Sequence, residues 1–173
     1  MLKKWLILPV LALLVLATVN CGGAAPADKA AKPAASAAAV KVTPLKGFDQ
    51  AGLKGKVTFV ELWGVWCPPC IKSMPHVQET WDKYKSNKDF NMMVVNTGWR
   101  GDNLDKVKGW LAANPKYTFP VFFDDRAEAQ QFAVANQVNS IPRSLIYDKK
   151  GKLRYNDHPG GIPAGFIDGL LKE

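Results

Sequence analysis

Val57-Thr58-Phe59-Val60-Glu61-Leu62-Trp63-Gly64-Val65-Trp66-Cys67-Pro68-Pro69-Cys70 is the stretch that decides the fold. Val57 to Trp63 is almost continuously apolar and β-branched or aromatic, as a strand buried on both faces should be. Cys67 and Cys70 follow four residues later, and Pro68-Pro69 between them suit a first helical turn, where no amide hydrogen is needed. Ile71 to Lys85 has helical spacing, with Val77, Trp81 and Tyr84 on one face and Pro75 expected to kink it. Two cysteines two residues apart, placed where a buried strand runs into a helix, can close and reopen a small disulfide.

Downstream, the pattern repeats. Phe90 to Asn96 is a second central strand, and Asn103 to Ala113 a helix with Leu104, Val107 and Leu111 on one face. Phe119 to Asp124 is a third strand and Arg126 to Ala135 a helix. Arg143 to Asp148 and Lys152 to Asn156 flank the turn Asp148-Lys149-Lys150-Gly151 as a hairpin. Ala164 to Lys172 is a closing helix, and Leu45 to Leu53 gives a short strand and turn before the main strand. The order β-α-β-α-β-α-β-β-α predicts an α/β fold: a mixed central sheet with helices on both faces.

The 173 residues hold one ordinary domain once the N-terminal region is set aside. Met1 to Asn20 has a short positive start and an apolar core from Trp5 to Val19, the layout of a secretory signal. Cys21 follows at once, a position that resembles a bacterial lipoprotein cleavage site. A lipidated Cys21, a plainly cleaved signal and an uncleaved anchor all export the domain to where disulfides persist. Residues 21–42 then supply Ala, Pro, Lys, Gly and Ser, with no large apolar side chain between Val19 and Val40. This stretch is expected to be a disordered tether, with the folded domain at 43–173.

The net charge of +8 is concentrated upstream: residues 43–173 carry 18 Lys and Arg against 14 Asp and Glu, a net of +4. No basic run of five occurs, so the charges read as solvated surface and not as a nucleic-acid footprint. A structural zinc needs four ligands, and there is no second Cys-x-x-Cys. His76, on the first helix, and His158, before Pro159-Gly160-Gly161, are the only histidines, and packing or surface roles suit both. No metal site is expected. Glu61 is, on the plainer reading, an exposed residue at a strand edge. Its apolar neighbours Phe59, Val60, Leu62 and Trp63 argue for burial, and a buried carboxyl exchanges protons near neutral pH. Trp63 is expected in the core, and Trp99-Arg100 is expected to pack in the core or its own loop.

The stretch from Phe59 to Cys70 resembles the active-site segment of the thioredoxin superfamily, and Ser140-Ile141-Pro142 before Ser144 to Asp148 resembles its cis-proline loop. Pro68-Pro69 between the cysteines, Met74-Pro75 after them and the added unit from Phe90 to Pro115 are similar to TlpA/ResA-like proteins. Those are anchored extracytoplasmic thiol–disulfide oxidoreductases, several of which serve cytochrome c maturation. The resemblance implies a thioredoxin-like fold with Cys67 as nucleophile and Cys70 as resolving thiol. It also implies a cis bond before Pro142, and an Ile141 backbone that pairs with an extended substrate. Trp66 would give substrate an apolar landing surface, Pro68 and Pro69 would tune the redox pair, and Glu61 would transfer protons.

The partners implied are protein thiols and disulfides, the membrane through a lipid anchor, and a membrane thiol–disulfide electron donor. No cofactor is implied, because the disulfide carries the electrons. Two positions depart from the pattern. Ser73 stands where many relatives carry Glu, and Glu61 where thioredoxins have Asp and TlpA-like proteins often Asn. A binding or chaperone-like module with a structural disulfide, and a thiol peroxidase, are the competing readings.

Overall fold

The computed structural model describes residues 41–45, 53–124 and 128–173. The expected signal, Cys21 and nearly all of the tether lie outside the described residues. The chain enters the sheet at β1 (Val42–Pro44), and the central strand β2 (Val57–Trp63) leads into α1 (Pro68–Tyr84). Then come β3 (Phe90–Asn96), α2 (Leu104–Ala113), β4 (Val121–Phe123), α3 (Glu128–Ala135), the hairpin β5 (Arg143–Tyr147) and β6 (Leu153–Asp157), and α4 (Phe166–Lys172).

One six-stranded sheet has the order β1-β4-β3-β2-β5-β6. β1, β4, β3 and β2 run parallel; β5 and β6 are antiparallel to their neighbours. The mixed α/β sheet expected from the element order is therefore the observed fold. All seven residues of β2 are buried, as they must be with β3 on one side, β5 on the other and helices over both faces. Each large apolar side chain so buried contributes about 1.5–3 kcal/mol.

Alternation along β2 divides two cores. Val57, Phe59 and Trp63 join Cys67, Cys70, Met74 and Val77 of the α1 side with Ile167 and Leu170 of α4. Val60 and Leu62 point the other way and pack with Ala129, Phe132 and Ala133 of α3 and with Leu145 and Tyr147. Trp63 is fully buried, with its ring 5.0 Å from that of Trp110.

β1 at Val42–Pro44 is a strand the sequence pattern does not predict, while the strand and turn expected over Leu45 to Leu53 fall largely on residues 46–52, outside the described residues; Leu45 is buried. A three-residue edge strand is too short to show a period, and an edge tolerates Pro44 because one of its sides needs no donor. β4 is shorter than the expected Phe119 to Asp124. Pro120 has no N–H to give and only accepts, from Val94 N–H at 3.1 Å, while Asp124 leaves the strand to accept from Glu128 and Ala129 N–H at 3.0 and 2.6 Å. α1 passes through Pro75 as one helix of 17 residues.

Among the described residues no helix is long and apolar enough to cross a membrane.

Candidate active site

The C-terminal end of β2 delivers Cys67 to the N-cap of α1. Cys67 has extended backbone (φ −102°, ψ 96°), and Pro68-Pro69 open the helix. Cys67 and Cys70 are joined in a disulfide. Cys70 N–H points at Cys67 Sγ, 3.3 Å away. No acidic residue stands in the first turn of α1, so the positive end of the helix is unopposed there and favours a thiolate on Cys67 once the disulfide opens. Cys70 is fully buried, and Cys67 is itself only 3% exposed, with Trp66 and Ile141 packed against the cluster that holds it.

Across from the cysteines, the Ile141–Pro142 peptide bond is cis, as expected. The Ile141 carbonyl lies 3.7 Å from Cys67 Sγ. Pro142 is buried, and Pro68 and Pro69 are exposed at the helix start.

Glu61 is fully buried, which decides between the two readings of it. It stands opposite Ser144 in the β2–β5 register, and Ser144 Oγ–H donates to its Oε2. Oε1 has no hydrogen-bond partner. Burial pushes its pKa up to about 8, with the Ser144 hydrogen bond opposing that rise. Phe59, Glu61 and Trp63 share one face of the strand, so Glu61 lies on the sheet face that carries α1 and the cysteines. Ser73 is buried with its hydroxyl donating to the Cys70 carbonyl at 2.8 Å.

His76 is on the exposed face of α1 beside Glu79, at 3.4 Å, and His158 Nδ1 accepts from Gly160 N–H at 3.5 Å. Among the described residues no three His, Cys, Asp or Glu side chains converge as a metal site would require.

A second loop completes the site, and the sequence reading placed it in packing. Trp99–Gly101 forms one turn of 3-10 helix after β3, and the Arg100 guanidinium lies over the Trp66 ring at 4.5 Å. Trp66 folds back on Gly64: a Cβ there would sit 2.7 Å from the indole nitrogen. Asp102 ties the two loops together. Its Oδ2 accepts from Val65 N–H at 2.7 Å and from Asn96 Nδ2–H at 2.9 Å, and Asn96 Oδ1 accepts from Gly98 N–H at 3.0 Å.

The only local signal for this loop was Gly98 and Gly101 on either side of Trp99-Arg100. Its partners before α1, Val65 and Trp66, are more than 30 residues away in sequence. Removing the carboxylate strands the buried Asn96 amide and the partly buried Val65 N–H, so Asp102→Ala is expected to cost about 2 kcal/mol, measured as a lower urea midpoint. Asp102→Asn, which keeps one acceptor oxygen, is expected to cost less.

Comparison with known proteins fits this geometry. The family model described as Redoxin matches residues 25–164. The chain belongs to the Redoxin family. Among curated relatives of this Redoxin chain, Sporulation thiol-disulfide oxidoreductase A of Bacillus subtilis (strain 168) is 31% identical over 58% of this chain and 58% of its own length. Thiol-disulfide oxidoreductase ResA of Geobacillus kaustophilus (strain HTA426) is 30% identical over 65% of this chain and 62% of its own. The match thus spans about three fifths of the length of these relatives. Among solved structures, the pneumococcal exposed lipoprotein thioredoxin of Streptococcus pneumoniae strain TIGR4 aligns with a TM-score of 0.55 at 25% identity, covering 72% of this chain and 90% of that one. The thioredoxin-like fold implied by the resemblance is the fold of this Redoxin chain.

Proposed function

We propose that this chain is a thiol–disulfide oxidoreductase of the cell envelope that exchanges Cys67–Cys70 with protein substrates, working as a reductase. The observation that carries the reading is the facing of two elements: Cys67 at the unopposed N-terminus of α1, and the Ile141 carbonyl 3.7 Å from its sulfur. The relatives' names, which describe thiol–disulfide oxidoreductases, support it.

In the reduced chain, the Cys67 thiolate attacks one sulfur of a substrate disulfide. That S–S bond breaks, the other substrate sulfur leaves as a thiolate and takes a proton, and a Cys67–substrate disulfide forms. Cys70, deprotonated, attacks Cys67 Sγ and releases the second substrate thiol. Two electrons have passed to the substrate, and Cys67–Cys70 is again a disulfide. A dithiol donor, for which a membrane thiol–disulfide transporter is the fitting class, reduces it for the next cycle. No cofactor enters the cycle.

Glu61, in the ionised form it gains as pH approaches about 8, acts as the buried group that takes the Cys70 proton, from the face of the sheet beneath α1. An extended substrate segment pairs with the Ile141 backbone as an added strand and lies against Trp66. Pro68 and Pro69 withhold two amide hydrogens from the sulfurs and so set the potential. The leader places the domain outside the cytoplasm, held through a lipid on Cys21 and the tether that follows. Cytochrome c maturation is the setting to which the TlpA/ResA-like resemblance points.

Equilibration of the purified chain in dithiothreitol and glutathione redox buffers tests the reading. Ready exchange with a reduction potential above about −300 mV is expected of a working pair. A potential well below that value, with no exchange against free thiols, would make the disulfide structural and the reading wrong.

A further inference from the structure

Of the arginines among the described residues, two are paired: Arg154 is held by Glu173 and Asp148, and Arg143 by Asp157. Arg100 is not. It makes no hydrogen bond or ion pair among the described residues, is exposed, and lies over the ring of Trp66, the residue next to Cys67.

The loop that presents it is built. Arg100 has left-handed backbone (φ 53°, ψ 35°) between Gly98 (φ 66°) and Gly101 (φ 76°). A side chain at Gly98 would meet the Asp124 carbonyl at 2.9 Å. Lys106 Nζ donates to the Gly101 carbonyl at 2.7 Å, and Asp102 fixes the loop to Val65 and Asn96. A non-glycine residue in left-handed backbone is disfavoured and persists where surrounding structure holds it. Here that structure holds a cation over the rim of the redox pair. Asp102, the nearby carboxylate in sequence, is buried, with its Oδ2 occupied by two N–H donors, and so leaves the guanidinium's outer edge unpaired.

We propose that Arg100, stacked on Trp66, is a specificity residue that selects protein substrates carrying an Asp or Glu one to three residues from the cysteine under attack. With the guanidinium over the indole, exposed and using none of its N–H groups within the described residues, its donors are free for a carboxylate, which can accept two parallel hydrogen bonds. A substrate strand paired along Ile141 would carry its side chains past Trp66 and bring such a carboxylate within reach. The inference rests on the thiol–disulfide exchange proposed above.

The test uses matched peptide homodisulfides with Asp, Asn or Lys beside the cysteine. Each rate of reduction by the reduced chain is divided by the rate of the same peptide with dithiothreitol, which removes the peptide's own reactivity. The wild-type chain is expected to favour the Asp over the Lys peptide about fivefold at low salt, the scale of an exposed charge pair, and less at 0.5 M NaCl. Arg100→Gln is expected to bring the ratio towards one and Arg100→Glu to invert it. Lys150→Glu, in the β5–β6 turn at the opposite end of the sheet, changes net charge equally and is expected to keep the preference.

A wild-type ratio below 1.5, or a preference that survives Arg100→Glu, overturns the inference. Reduction of all three peptides at one rate would sink the specificity alone. Reduction of none by the chain, while dithiothreitol reduces all three, would sink the exchange reading beneath it.

Discussion

Cys67→Ser is expected to lower protein-disulfide reduction on the order of a thousandfold or more, to the uncatalysed rate, while Cys70→Ser keeps the first chemical step and loses turnover. The two sulfurs are close in space but differ in setting. Cys67 occupies the N-cap and receives the Cys70 N–H, so the helix end stabilises negative charge on that sulfur. A serine hydroxyl there remains protonated at neutral pH and does not attack. Cys70 lies inside the first turn, fully buried, and reaches only the sulfur of Cys67.

In Cys70→Ser the mixed disulfide on Cys67 therefore has nothing to resolve it. It should accumulate as a higher-mass band on a non-reducing gel and vanish on adding dithiothreitol. Loss of the bridge does not confound the comparison. It closes a loop of only four residues, worth about 2 kcal/mol by chain entropy, and both variants lose it equally. Trapping by Cys67→Ser in place of Cys70→Ser would reverse the roles. Trapping by neither, with full turnover in Cys67→Ser, would end the redox reading of the pair.

What could be read from the chain, and what could not, follows the range of the forces involved. β2, β3 and α1 were legible because their residues are buried nearly continuously or at helical spacing, and periodicity is a local property. The sulfurs were legible because their chemistry depends on a strand-to-helix junction only a few residues long. β1 was not legible because three residues on a sheet edge carry no period.

The Asp102 clamp and the Arg100–Trp66 stack were not legible. Each joins the loop before α1 to the loop after β3 across more than 30 residues, through a carboxylate and a guanidinium that in one dimension look like solvated charges. Glu61 lies between these cases. Its apolar neighbours indicated burial, but Ser144, 83 residues on, enters only through the β2–β5 register.

That register gives the second large effect: the oxidised chain is expected to lose stability steadily as pH rises from about 5 to 8, and Glu61→Gln to abolish most of that loss. Glu61 is fully buried, one carboxylate oxygen accepts only from Ser144 and the other has no partner. Burial raises its pKa from 4.5 to about 8. Between those values the folded chain holds a proton that the unfolded chain has released. Stability then falls as pH rises, levelling off only above the folded value.

Each pKa unit corresponds to about 1.4 kcal/mol, so ionising Glu61 in place costs on the order of 4–5 kcal/mol. Gln has the same length, keeps a carbonyl acceptor for Ser144 and carries no charge. Urea midpoints at pH 5, 6, 7, 8 and 9 should therefore diverge, with the variant gaining on the wild type toward alkaline pH. Parallel profiles would mean that Glu61 does not hold its proton in the folded state. The same substitution tests proton transfer, since a group that accepts the Cys70 proton must shape the pH dependence of exchange. If Glu61→Gln diverges in stability but leaves that dependence unchanged, the buried carboxyl is a cost of the fold and not a base for the thiol.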